Sequence, residues 1–71
     1  MSEWVHTDSE AIDGYRYDET RGVLRVRFHS GTVYDYLGAT DGLVRRLDRA
    51  SSKGQFFTRH IRDKLAFTRM K

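Results

Sequence analysis

Between Val23 and Thr32 the chain alternates Leu24, Val26 and Phe28 with Arg25, Arg27 and His29, then breaks at Ser30-Gly31. Apolar residues at a two-residue spacing point to one face of a strand, so this segment reads as a strand with one buried and one solvated side. The next strand, Thr32 to Leu37, returns beside it, and the loop length decides which of its residues share the buried face. A two-residue Ser30-Gly31 loop sets Phe28 opposite Val33 and Val26 opposite Asp35, which puts a carboxylate among apolar side chains. A three-residue His29-Ser30-Gly31 loop with Gly31 in the left-handed region sets Phe28 opposite Thr32, Val26 opposite Tyr34 and Leu24 opposite Tyr36. It also places Arg25 across from Asp35 on the outer face, where opposite charges attract. A one-residue slip would turn every side chain over, so the agreement of apolar face and charge pairing selects the three-residue loop.

The same reasoning extends to the rest of the chain. A first strand covers about Ala11 to Tyr17, with Tyr15 and Tyr17 on one side, and the polar run Asp18 to Gly22 is a turn. Gly38 ends the sheet. Thr40 or Asp41 caps a helix to about Ala50 whose stripe is Leu43, Val44, Leu47 and Ala50, with Arg45, Arg46, Asp48 and Arg49 outward. Ser52-Lys-Gly-Gln55 has capping-box spacing and opens a second helix from about Lys53 to Leu65, burying Phe57, Ile61 and Leu65 with Phe56 and His60 at the flank. The expected fold is therefore α+β: a three-stranded antiparallel β-meander followed by two α-helices packed on one face. Residues 1–8 read as a flexible lead-in, with Trp4 either a hook for a partner or, the favoured reading, folding back on the sheet edge. Residues 9–66 form a single domain, and 67–71 a basic tail that extends the last helix or frays.

Seventy-one residues hold one core, and the absence of cysteine removes disulfides, thiol nucleophiles and thiolate metal sites together. No window approaches the roughly 18 apolar residues of a membrane span, so the expected setting is the cytoplasm, without a membrane partner. The charge is unevenly placed. Residues 1–40 carry four Arg against seven Asp and Glu, net −3, while residues 41–71 carry nine Lys and Arg against three Asp, net +6. A basic half of this kind attracts polyanions, although a charge run also serves simply as a solvated surface.

Groups able to do chemistry are sparse. His6, His29 and His60 fall in the lead-in, the hairpin loop and the last helix, and none shares a metal-ligand spacing with another His, Asp or Glu. Ser51 and Ser52 lack a nucleophile-elbow setting. Neither catalysis, a metal nor a cofactor is expected. Ser51-Ser52-Lys53-Gly54 combines free N–H groups at a helix start, two hydroxyls, a lysine and a glycine, which suits a phosphate; capping by Ser52 and close packing at Gly54 explain the same residues. Arg45 with Arg49, and Arg59 with Arg62, fall on shared helical faces and, with Arg46 and Lys53, suit sugar-phosphate contacts. Tyr34 and Tyr36 suit base stacking on an open sheet face, but the chosen register sends their rings toward the core and their hydroxyls to its rim.

From Ser9 to Arg62 the chain resembles the KTSC domain, named from its occurrence at the C-terminus of some lysyl-tRNA synthetases and found also as a short stand-alone bacterial protein. The matching residues are Ser9 and Ile12, Tyr17-Asp18, Leu24, Val26, Phe28 and Gly31, Tyr34 and Tyr36, Gly38, then Ala50, Ser52, Gly54, Phe56-Phe57 and Ile61-Arg62. The family commonly has Val-Pro after the glycine and an aromatic in the first helix, where this chain has Ala39-Thr40 and Val44. The synthetase association implies RNA binding, with Tyr34, Tyr36, Ser52, Gly54 and Arg62 as the candidate positions. The expectation is a non-enzymatic module for RNA or other nucleic acid, gripping phosphates through Arg45, Arg46, Arg49, Lys53, Arg59 and Arg62. The alternative is a protein-interaction domain in which those arginines meet an acidic partner.

Overall fold

In the computed structural model, which describes residues 3–71, the hairpin closes on His29-Ser30-Gly31. Gly31 has φ +92°, its N–H donates to Phe28 O at 2.9 Å, and Phe28 N–H donates to Thr32 O at 2.9 Å. Strands β3 (Val23–Phe28) and β4 (Val33–Leu37) pair Leu24 with Tyr36, Arg25 with Asp35 and Val26 with Tyr34, the three-residue-loop register. Arg25 and Asp35 form a bidentate pair at 2.7 and 3.0 Å, which the outer face was expected to carry.

The sheet has five strands rather than three, in the antiparallel order β1-β2-β3-β4-β5. β1 (Val5–His6) lies against Gly14 and Tyr15 of β2 (Ile12–Asp18), and β5 (Phe67–Arg69) pairs with Tyr34 to Tyr36 of β4. Strands of two and three residues are too short to show a period, so neither edge was visible in the sequence. They are held mainly by backbone bonds: Leu37 N–H donates to Ala66 O at 2.8 Å and Met70 N–H to Val33 O at 2.7 Å. A Cβ on Gly14 would sit 3.0 Å from Val5 O, so the bare glycine lets β1 approach.

A bulge between Ile12 and Gly14 shifts the β2–β3 register, from Ile12 opposite Phe28 to Gly14 opposite Arg27. The extra residue turns both Ile12 and Tyr15, three apart, onto the buried face. That face carries the core: Ile12, Tyr15, Leu24, Val26 and Tyr36 meet Val44 and Leu47 of α1 (Asp41–Arg49) and Phe57 of α2 (Lys53–Phe57), with Ile61 beyond it. The Thr40 hydroxyl accepts Leu43 N–H at 3.1 Å to start α1, and Ser52 accepts Gln55 N–H at 3.3 Å to start α2. Tyr15 OH donates to the Asp48 carboxylate, and Tyr17 OH bonds Ala39 O and Asp41, so two β2 phenols fasten α1 to the sheet. Burial first, then the carboxylate partner, raises both phenol pKa values.

The second helix departs from the expected span of Lys53 to Leu65. Its α-helical part ends at Phe57, and Thr58–Arg62 continues as a π-helical stretch. Thr58 Oγ1 donates to Gly54 O at 3.0 Å, competing with the backbone for that carbonyl just where the helix widens. The widening moves residues around the axis. In an α-helix two residues five apart stand roughly 140° from one another; i→i+5 bonding brings them toward one side.

Candidate functional site

Two groups of arginines stand on opposite sides of the molecule and have different surroundings. On the outer sheet face Arg25 is paired with Asp35, and Arg27 Nε reaches Asp13 Oδ2 at 2.8 Å. Trp4 folds across this face, its ring 4.5 Å from the Arg27 guanidinium and 5.4 Å from that of Arg16. Indole and carboxylates thus neutralise or cover the cations that the strand alternation sends outward. The Asp35 bond also raises the Arg25 pKa, against a smaller opposing effect of burial, and keeps it charged.

In the helical layer Arg45, Arg46, Arg49, Arg59 and Arg62 are all exposed. Among the described residues, Arg45, Arg49, Arg59 and Arg62 have no carboxylate partner within ion-pair distance. Arg46 lies 5.3 Å over the Phe56 ring, whose other neighbour is His60 at 4.5 Å. Lys53 behaves differently. Its ammonium donates to Asp48 O and Ala50 O, both at 3.1 Å, and so closes the C-terminal end of α1.

The Ser51-to-Gly54 segment has internal work at three of its positions. Ser52 caps α2, Lys53 caps α1, and a Cβ on Gly54 would stand 3.0 Å from Ser9 Oγ. That hydroxyl in turn accepts Ala11 N–H and Ile12 N–H at 3.2 and 3.3 Å, fixing the entry into β2. The glycine therefore lets the start of α2 rest on the Ser9 turn.

Between this helix and the β3–β4–β5 end of the sheet lies an open cleft of about 820 Å³. Its walls are aromatic. Tyr34 stands edge-to-face with Phe67 at 5.3 Å and with Phe28 at 5.9 Å, while Tyr36 meets Phe57 at 5.3 Å. Tyr36 is 4 % exposed and belongs to the core, Tyr34 is half-buried, and Phe67 is 57 % exposed at the mouth. Glu10, His29, Thr58, Arg62 and Asp63 add polar and charged groups to the lining. Phe57, Thr58, Arg62 and Asp63, from the π-helical stretch and the residues beside it, all line the cleft. Burial raises the Tyr36 pKa, and the nearby Arg62 opposes that shift.

Of the residues singled out from sequence, Tyr34, Tyr36, Gly54 and Arg62 therefore share one cleft, whereas Arg45, Arg46, Arg49, Lys53 and Arg59 do not line it. Phe67, His29, Asp63 and Glu10 were missed. Phe67 carried no legible signal, because Phe67, Thr68, Arg69 and Met70 run apolar, polar, polar, apolar and show no strand period. His29 Nε2 lies 2.9 Å from Ser9 O, and no three His, Asp or Glu among the described residues gather to hold a metal ion. No helix among the described residues is long and apolar enough to cross a membrane.

Comparison with known proteins gives a consistent answer. A family model described as the KTSC domain matches residues 8–65. The crystal structure of a KTSC domain protein from Yersinia pestis superposes with a TM-score of 0.92 at 26% identity, covering 97% of each chain. Lysine--tRNA ligases of Trichormus variabilis and Nostoc punctiforme are 37% identical over 59 residues and 32% over 63, covering 83% and 89% of this chain. The chain spans only 10% and 11% of the length of those two relatives.

Proposed function

The chain belongs to the KTSC domain family, and from that premise we propose that it is a non-enzymatic binding module for RNA or other nucleic acid. The observation that carries the reading is that, among the described residues, Arg45, Arg49, Arg59 and Arg62 have no carboxylate partner, whereas Arg25 and Arg27 are paired. A guanidinium with no internal carboxylate keeps its charge for a partner, and phosphates take such charges with release of condensed counterions. The ligases similar to this chain over a tenth of their length act by name on a tRNA, which supports RNA as the polyanion. An acidic protein would meet the same arginines. The aromatic cleft beside Arg62 favours nucleic acid, because bases have faces to stack and acidic side chains do not.

Fluorescence anisotropy with labelled single-stranded RNA tests this across a salt series. The expected outcome is a Kd of about 10⁻⁴ to 10⁻⁶ M at physiological salt, with log K falling against log salt at a slope of about −2 to −3, the value for roughly three or four phosphates on a single strand. Absence of binding at low salt, together with binding of an acidic peptide, would move the assignment to a protein partner.

A further inference from the structure

We propose that the cleft between α2 and the β4–β5 edge is a seat for one unpaired nucleotide, its base entering against Tyr34 and Phe67 and its phosphate meeting Arg62. This rests on the nucleic-acid reading and narrows it to single strands and to one place. The volume of about 820 Å³ lies within the range of sites that enclose a small organic ligand. Tyr34 and Phe67 stand at 88° to one another, so a base stacked on one ring presents its edge to the other. Phe67 is 57 % exposed, an apolar ring left at the mouth rather than covered by the fold.

The charges sort the two ends of a nucleotide. Arg62 makes no ion pair among the described residues, lies in the π-helical stretch and lines the cleft. Asp63 and Glu10, also on the lining, repel a phosphate and accept N–H groups from a base edge. A paired base cannot use this seat, because its faces are covered by its neighbours in the duplex and its edge by its partner.

The test uses the whole chain with three probes: AMP, ribose 5-phosphate, and a short single-stranded RNA compared with its duplex. In NMR titration, AMP shifts the ring and amide signals of Tyr34, Phe67 and Arg62, and ribose 5-phosphate leaves the two rings unmoved. Phe67→Ala lowers single-strand affinity about tenfold and leaves duplex affinity unchanged, as loss of one stacking partner requires. Arg62→Gln lowers single-strand affinity and flattens its salt slope. Single-strand binding that ignores Phe67→Ala, or AMP shifts confined to α1, overturns the nucleotide seat and leaves the RNA reading standing. No binding of any RNA overturns both. The wild-type AMP titration decides the matter even if a variant fails to fold.

Discussion

The outer face of the sheet and the helical layer carry the same side chain to different ends. Strand register puts Arg25 opposite Asp35 at 2.7 Å, the β2 bulge brings Asp13 to Arg27 at 2.8 Å, and Trp4 lies over Arg27 and Arg16. The helices put Arg45, Arg49, Arg59 and Arg62 into solvent with no carboxylate in reach among the described residues. Paired cations contribute to the fold and attract little from outside; unpaired ones contribute little to the fold and keep their field for a partner. Charge counted along a sequence therefore overstates an interface wherever strand register has already matched it.

The largest expected effect comes from reversing the unpaired group. Arg45→Glu with Arg49→Glu and Arg59→Glu is expected to weaken RNA binding on the order of a hundredfold at low salt, through lost phosphate contacts and added repulsion. The unfolding free energy read from urea titration changes by no more than about 0.5 kcal/mol per substitution, as for exposed surface sites.

Arg25→Ala should show the opposite pattern. It leaves Asp35, whose side chain is 13% exposed, without its bidentate partner, and stability falls by about 1–2 kcal/mol after allowing for solvent screening at the partly exposed guanidinium. RNA affinity stays the same. A substantial affinity loss here would erase the distinction between the two faces.

Tyr15→Phe probes the seam between the sheet and α1. Losing the bond to Asp48 costs about 1 kcal/mol. Tyr15 also makes stability sensitive to alkali, because its folded pKa is raised by burial and by Asp48. Its contribution is fully present below the unfolded value of about 10 and declines as pH rises above it, where the unfolded chain loses a proton that the folded chain retains. Urea midpoints at pH 9 and pH 11 should therefore differ more in the wild type than in Tyr15→Phe.

Lys53→Gln is expected to have the smallest effect, about 0.5 kcal/mol, from the lost cap on the α1 carbonyls. Lys53 sits in the helical layer but is already partnered. RNA binding should therefore ignore its loss, and a clear drop in affinity would show that partnering does not decide which cations bind.

The hairpin was legible in sequence because three independent signals coincide on one register: the Leu24, Val26 and Phe28 face, the Arg25–Asp35 pair and a glycine in the left-handed region. Both helix starts were legible through Thr40 and Ser52. The edge strands were not, since Val5–His6 and Phe67–Arg69 are shorter than the period that would reveal them. With β5 unseen, Phe67 could not be placed at the cleft. Arg62 was named as a site residue, grouped with Arg59; it lines the cleft together with Gly54 and Thr58, eight and four residues before it, and Arg59 does not. The Arg27–Asp13 pair was hidden because it depends on the bulge near Ile12.

The most direct test is a two-dimensional NMR titration of the intact chain with single-stranded RNA at near-physiological salt, following arginine Nε–H signals and the Trp4 indole N–H together. Shifts are expected at Arg45, Arg49, Arg59 and Arg62, with Arg25, Arg27 and Trp4 unmoved. Shifts at Trp4, Arg25 and Arg27 with a silent helical layer would contradict that expectation.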